Sequence, residues 1–311
     1  WGHERERFLL SHGYTTKKEV PTLTDFAGRF MEGHVRANRQ KPSAVSAKET
    51  ILRVHLLPRF GSKRLDAITN EDMARLKASL EGKAQKTVNN ILSVLAVVLK
   101  KAVEWEAIER MPCVVRMLKA PKPTMGFWDF NAYDKLIAAA ERDGSDTHLI
   151  VLLGGEAGLR CGEIIGLEWS DVDLHRRQLC VQRSEWRGHV TVPKGGRFRY
   201  VPMTARLTEA LGKHYRSKGR ILWNEASGGY TQDMVGDRVR RAARRAGIAV
   251  SGVHRLRHTF CSHLAMRGAP VTAIQAAAGH QDLMTTQRYM HLSPSAVEDA
   301  IRLLEPTRPA A

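Results

Sequence analysis

Four short stretches hold side chains whose types and spacing suit phosphodiester cleavage, which needs cations for the non-bridging oxygens, a nucleophile, and an acid for the leaving oxygen. In AGLRCGEI, Gly158 allows a turn before Arg160, and Glu163, three residues on, can return along the same helical face to orient the guanidinium. An ordinary buried arginine–glutamate pair would read the same way. In VTVPKGGRFRYVPM, two strand-like runs flank Lys194-Gly195-Gly196, the pattern of a hairpin with a Gly-Gly turn and Lys194 at its tip. Lys194 is the only lysine between Lys135 and Lys213, and an ammonium can give up a proton where a guanidinium cannot. A plain surface charge is the competing reading. In HRLRH, His254, Arg257 and His258 fall one helical turn apart on a single face. Two histidines at that spacing could hold zinc, but the glutamate of H-E-x-x-H is absent, Arg257 repels a cation, and no cysteine cluster completes a ligand set, so no metal is expected. In AAAGHQDLMTTQRYMHL, His280 follows Gly279, and Tyr289 lies nine residues further, near the end of a short helix. Such a tyrosine is usually a core or interface residue. As a nucleophile it must lose a proton near pKa ~10, which Arg160, Arg257, His254 and His280 would ease if they converge.

The elements that must position these residues fall into two groups. Residues 21–119 read as a small helical bundle. Ser46 precedes a helix expected to stop at Pro58 and Gly61, Asn70 opens a second with Glu71 and Asp72 in its first turn, and a third runs over residues 86–108 with Val88, Ile91, Leu92, Leu95, Val98, Leu99, Ala102 and Val103 on one face. Pro112, Pro121, Pro123 and Gly126 then interrupt any helix and leave a short basic tether, so the domain boundary is placed at residues 120–126. Beyond it, residues 130–140 and 149–159 look helical, residues 178–181, 189–192 and 197–201 look like short strands, and helical patterns resume near Leu207, Gln232, Val253, Val271, Asp282 and Pro294. The expected fold is an N-terminal all-α bundle plus an α+β domain over residues 127–292, mainly helical with a small antiparallel sheet.

The charge balance names the partner class. Among 311 residues, 49 Lys and Arg against 32 Asp and Glu give a net charge of +17, which points to a polyanion. Arg238, Arg240, Arg241, Arg244 and Arg245 lie in a segment with no carboxylate between Asp237 and Asp282, read as a one-sign, nucleic-acid-facing surface rather than a solvated helix face. Lys48, Arg53 and Lys86 give the bundle its own basic supply, and two basic domains on a tether could close around a duplex. No apolar run is long enough to span a bilayer and no secretory signal is visible, so no membrane partner and a cytoplasmic location are expected. Cys113, Cys161, Cys180 and Cys261 lack C-x-x-C spacing and are read as reduced and buried. The chain begins at Trp1, and charged residues 1–20 read as a linker or the remnant of an upstream domain.

Taken in order, these residues resemble the tyrosine recombinase (phage integrase) family, whose signature runs Arg, an acid three residues on, a Lys on a β-hairpin, His-x-x-Arg, a His or Trp after a Gly, and Tyr nine residues later. They fall on Arg160, Glu163, Lys194, His254, Arg257, His280 and Tyr289, with Gly158-Leu159, Val201-Pro202, Leu256 and His258 also similar. Arg255 stands where many members have Asp, and Ala278 where Leu is frequent; neither is a catalytic position. The resemblance implies a SAM-like core-binding domain over residues 21–119 and a catalytic domain after it. It implies attack by Tyr289 to give a 3′-phosphotyrosyl link, a phosphate clamp from Arg160 and Arg257, protonation of the leaving oxygen by Lys194, a tyrosyl-proton role for His254, a phosphate contact from His280, and support from Glu163.

The same resemblance calls for no cofactor, neither metal nor ATP. It implies strand exchange on specific double-stranded DNA core sites by a homotetramer through a Holliday junction, as in a mobile-element integrase acting on the bacterial nucleoid, with room for an accessory DNA-bending protein. Residues 293–311 read as a tail helix, begun by Ser293-Pro294 and striped by Val297, Ala300, Ile301 and Leu304, that docks on a neighbouring protomer or packs on its own domain. A type IB topoisomerase-like swivelase and a non-catalytic DNA-binding regulator on the same fold are the alternatives.

Overall fold

The computed structural model describes residues 3, 19–121, 125–193, 195–224, 228–292 and 301. Lys194, most of residues 1–20, and the expected tail helix apart from Ile301 lie outside them. The chain divides into two units, Trp1–Lys122 and Pro123–Ala311.

The first unit is helical because its apolar residues recur with helical period and its caps are in place. In α1 (Leu23–Phe30), Thr22 and Asp25 form a capping box, and Leu23, Phe26, Ala27 and Phe30 are buried on one face. The helix widens into a π-turn over Met31–Arg36. Next, α2 (Pro42–Ile51) starts four residues before the expected Ser46, with proline in its first turn, and passes through a second π-turn (Leu52–Leu56) into α3 (Leu57–Phe60). Pro58 therefore does not end the helix. The Leu57 N–H donates to Leu52, five residues back, and this re-phasing places Pro58 at the start of α3, where its missing donor is not needed. Thr69, rather than Asn70, caps α4 (Asn70–Ser79), sharing a box with Asp72. The long α5 (Gln85–Glu104) buries Val88, Ile91, Leu92, Val94, Leu95, Val98, Leu99 and Ala102, each of the larger ones contributing about 1.5–3 kcal/mol. It ends at Trp105, short of the expected residue 108, where Glu106 takes a positive φ of 53°.

The second unit is built around α7 (Ser145–Gly155), whose Leu149, Ile150, Val151, Leu152 and Leu153 are all buried. A helix apolar all round must be surrounded, and it is packed by α6 (Phe130–Asp143), α9 (Ala205–Lys213), α10 (Gln232–Arg245) and α11 (His254–Met266). At its end Gly154 and Gly155 allow close approach: a Cβ on Gly154 would meet Leu256 of α11 at 2.8 Å, and one on Gly155 would collide with Tyr133. The helix bearing HRLRH is thereby seated tightly on α7. The chain then forms α8 (Cys161–Gly166), and later α12 (Val271–Ala278), α13 (Leu283–Gln287) and a 3-10 turn (Met290–Leu292).

Strands β1 (Val172–Asp173), β2 (Gln178–Val181) and β5 (Arg199–Pro202) form one antiparallel sheet, with Leu179 opposite Val201. Strands β3 (Ser184–Trp186) and β4 (His189–Thr191) form a separate pair. This corrects one expectation: the runs on either side of Lys194-Gly195-Gly196 do not pair with each other. β4 folds back on β3 through Arg187 and Gly188, both at positive φ (48° and 81°), the geometry a two-residue hairpin turn requires. β5 instead joins β2, which buries Val201 against the core. Otherwise the fold class matches the expectation: a helical bundle followed by a mainly helical α+β unit. All four cysteines are free, but only Cys113 and Cys261 are fully buried.

Candidate active site

The site is assembled at the ends of helices held by the second unit's core. Gly158 turns the chain out of α7 at a positive φ of 64°, with the Leu159 N–H donating to the Leu153 carbonyl. This delivers Arg160 to the N-terminus of α8. Its backbone N–H and Nη1 donate to the two Glu163 carboxylate oxygens at 2.9 and 2.8 Å, and its Nη2 donates to the Gly279 carbonyl at 2.8 Å. Glu163 is buried. Burial alone would raise its pKa, but hydrogen bonding and charge from Arg199, with Arg160 added, hold it at about 2.

Arg257 is 2% exposed on α11, a position that demands an anionic partner. Nη1 donates to the Gly158 carbonyl at 2.6 Å, whereas Nη2 has no hydrogen-bond partner among the described residues. Burial, and then the charge of Arg160, lower its pKa to about 10. An anion arriving there would take the free donor and relieve both costs.

The far side of the site comes from α12 and α13. Gly279 ends α12 in the left-handed region at φ 64°, and the His280 N–H donates to the Gln275 carbonyl. His280 Nδ1 is 2.9 Å from Thr286 Oγ1, which leaves Nε2 for a ligand. Burial, and then Arg257, Arg160 and Arg199, pull its pKa down to about 3. Tyr289 follows α13 and is 2% exposed, with its ring parallel to that of His280 at 6.3 Å. Burial pushes its pKa up.

The structure thus gathers Arg160, Glu163, His254, Arg257, His280 and Tyr289. Lys194 lies outside the described residues. Two residues given no catalytic role from the sequence also belong to the site. His258 Nδ1 is 2.6 Å from Tyr289 Oη, while His254 packs edge-on against His258 at 4.6 Å and makes no hydrogen bond to Tyr289. Arg199 of β5 donates to Glu163 at 2.8 Å and to the Ala277 carbonyl at 2.9 Å, joining sheet, α8 and α12. Its only sequence signal is its place two residues before Val201-Pro202.

The basic residues are not equivalent. Arg241 donates to Asp143 at 2.6 and 2.8 Å, Arg245 is paired with the same carboxylate, and Arg240 with Asp237. Arg238 donates to Thr147 and lies over the Tyr230 ring. The arginine segment is therefore not a one-sign surface, because α6 supplies the missing acid from a distant part of the chain. Arg244 is exposed and has no acidic partner among the described residues. In the first unit, Arg53 and Lys86 are exposed, and Lys48 donates to Gln40 at 2.8 Å. Among the described residues no group of three His, Cys, Asp or Glu could hold a metal ion, and no helix is long and apolar enough to cross a membrane.

Residues 127–296, more than half of the chain, match the phage integrase family. The ICEBs1 integrase of Bacillus subtilis (strain 168) is 24% identical over 278 residues, covering 82% of this chain and 75% of that protein. Tyrosine recombinase XerC of Alcanivorax borkumensis is 27% identical over 250 residues, covering 75% and 78%. Among solved structures, the Tn1549 transposon integrase in complex with a circular intermediate DNA has a TM-score of 0.76 at 19% identity, covering 91% of this chain and 99% of that one. A lambda integrase dimer bound to a COC′ core site has a TM-score of 0.71 at 19% identity, covering 88% and 97%. These two likenesses establish a shared fold across both units, and the family match falls on the unit that holds the site. The chain belongs to the phage integrase family, the tyrosine-type site-specific DNA recombinases.

Proposed function

We propose that this chain cuts and rejoins double-stranded DNA at specific core sites through a 3′-phosphotyrosyl intermediate on Tyr289. The observation that carries this reading is the buried Arg257, whose Nη2 donor has no hydrogen-bond partner among the described residues and lies beside Arg160 and close to a tyrosine. Such a centre is completed by a phosphodiester. Tyr289 Oη attacks the phosphorus in line, and the 5′ oxygen leaves with the bonding electrons. Arg160 and Arg257 neutralise the non-bridging oxygens, and His280 Nε2 meets one of them. Glu163 fixes Arg160, Lys194 protonates the leaving oxygen, and a histidine of α11 takes the tyrosyl proton. Bond energy is retained in the phosphotyrosine, so a 5′-hydroxyl of another strand can reverse the step with neither ATP nor water. At 2% exposure Tyr289 is closed off from solvent, so DNA has to open the site before attack.

The chemistry belongs to residues 127–292 and core-site binding to residues 21–119, where Lys48, Arg53 and Lys86 meet phosphates. Arg238, Arg240, Arg241, Arg244 and Arg245 are assigned to DNA as well, with Arg244 exposed and without an acidic partner among the described residues. The assembly is a tetramer exchanging strands through a Holliday junction. Support comes from the lambda integrase tetramer bound to a Holliday junction, which shares the fold with a TM-score of 0.68. On this reading the chain is a mobile-element integrase acting on the bacterial nucleoid in the cytoplasm, with an accessory DNA-bending protein as an added partner.

The test is covalent capture. The protein is mixed with a nicked, sequence-diverse duplex pool in EDTA without ATP and denatured in SDS, and the attached DNA is sequenced. Adducts on 3′ ends that share one motif support the proposal. Adducts without a motif point to a swivelase, and equal DNA binding with no adduct points to a regulator.

A further inference from the structure

Two histidines of α11 compete for the tyrosyl proton, and the geometry separates them. His258 Nδ1 lies 2.6 Å from Tyr289 Oη. His254, one turn earlier, is exposed and stacks edge-on against the His258 ring. His280 lies parallel to the tyrosine ring at 6.3 Å, with its Nδ1 committed to Thr286. The Cys261 thiol also lies against the tyrosine hydroxyl, and its own pKa is pushed up by burial to about 11, so it is no base near neutrality. His258 is therefore the only nitrogen hydrogen-bonded to Oη among the described residues.

We propose that His258 accepts the proton of Tyr289 through Nδ1 during attack, with His254 acting as a buttress for its ring. The inference rests on the reading above that Tyr289 is the nucleophile. As the Oη–P bond forms, the Oη–H bond breaks and its proton passes to Nδ1. The P–O5′ bond breaks with its electron pair on the 5′ oxygen, which is protonated by the general acid. Religation runs the same path in reverse, and the His258 imidazolium returns the proton to Oη.

The surroundings suit this role. Among the described residues, the charged and titratable groups that face the site are His254, Arg255, Arg257 and Cys261 on its own helix, Arg160 before α8, Arg199 on β5, and His280, Arg288 and Tyr289 beyond α12. Among the described residues Glu163 is the one acid beside them, and it is held by Arg160 and Arg199. Burial, then His254, Arg257 and Arg255, lower the His258 pKa to about 4, so the resting ring is neutral and able to accept. A phosphate clamped by Arg160 and Arg257 offsets that cationic field and raises the ring's basicity when the substrate is in place. Proton transfer is thus coupled to DNA binding, and no free tyrosinate is exposed beforehand.

Single-turnover adduct formation on the nicked duplex pool, followed from pH 6 to pH 9 for the wild type, His258→Gln and His254→Gln, tests the assignment. His258→Gln is expected to bind DNA normally and to form adduct about 100-fold more slowly at pH 7. Its rate should climb tenfold per pH unit as hydroxide replaces the lost base, and added imidazole should partly restore His258→Ala. A His258→Gln rate within about threefold of wild type, or a parallel pH profile, would overturn the assignment, as would the hydroxide-dependent profile appearing in His254→Gln. Nitrogen-15 NMR of wild-type His258 gives a check independent of any variant's folding: Nδ1 must be unprotonated, and an Nδ1–H tautomer overturns the idea. Adduct from wild type and His258→Gln alike removes this inference alone, whereas no adduct from wild type removes the underlying reading too.

Discussion

Replacing Glu163 by Gln tests how the cationic centre is held. The carboxylate is 1% exposed and takes both Arg160 and Arg199, whose side chains are 23% and 11% exposed. Neutralising it leaves these two arginines and Arg257 with no acidic partner among the described residues. Breaking a fully buried pair costs about 3–5 kcal/mol. Because water still reaches Arg160, the low end, about 3 kcal/mol, is expected. For a unit of this size that corresponds to a melting temperature lower by about 6–12 °C, read by calorimetry. The stranded cations make a second, less obvious prediction: millimolar sulfate or phosphate should raise the melting temperature of Glu163→Gln more than that of wild type, because an anion replaces the lost charge. The pH dependence follows the same sign. A carboxyl held at about 2 stabilises fully above its ordinary range near 4.5 and loses that contribution as pH falls toward 2. Glu163→Gln should lack that decline. A variant melting within about 2 °C of wild type, with no added response to anions, would refute the idea that Glu163 holds the arginines together.

Three further outcomes follow from particular contacts. Gly279→Ala puts a side chain on a left-handed residue, with its Cβ 2.9 Å from Arg199 Cδ; a loss of about 1 kcal/mol is expected from the backbone, together with a disproportionate, at least tenfold, loss of adduct as Arg160 and Arg199 shift, and normal adduct yield would count against it. Arg244→Ala should weaken DNA binding and flatten its salt dependence with little change in melting, whereas Arg241→Ala should chiefly lower the melting temperature because Arg241 is tied to Asp143; the reverse pattern in filter binding and calorimetry would contradict this. His258 and His280 titrate near 4 and 3 when folded and near 6.5 when unfolded. The unfolded chain therefore binds protons first, and stability should fall as pH drops below about 6.5, a slope that urea midpoints would show and that His280→Gln would reduce.

The helices were legible because their signals are local. The stripe of α5 reports its buried face directly, and Glu71 with Asp72 mark the first turn of α4. The Arg160–Glu163 pairing is equally local, since the partners lie three positions apart at the start of α8. Strand pairing is not. The Gly195-Gly196 step resembles a hairpin turn as strongly as Arg187-Gly188 does, and only the need to bury Val201 beside Leu179 sends β5 to β2. Arg199 was overlooked for the same reason, because its partners lie 36 and 78 residues away. The arginine-rich α10 misled through distance too: Asp143, which neutralises it, is 98 residues from Arg241. His258 was visible as a neighbour in HRLRH, but helical periodicity cannot say which of two histidines on one face meets Tyr289.

The central claim is that Tyr289 is the nucleophile of a site-specific strand exchange, and peptide mapping of the captured adduct tests it most directly. Digestion with protease and nuclease followed by mass spectrometry should find a nucleoside 3′-phosphate on Tyr289, with a free 5′-hydroxyl on the released strand, and Tyr289→Phe should bind DNA and yield nothing. A nucleotide on another residue, attachment through a 5′ end, or adduct persisting in Tyr289→Phe would contradict the account.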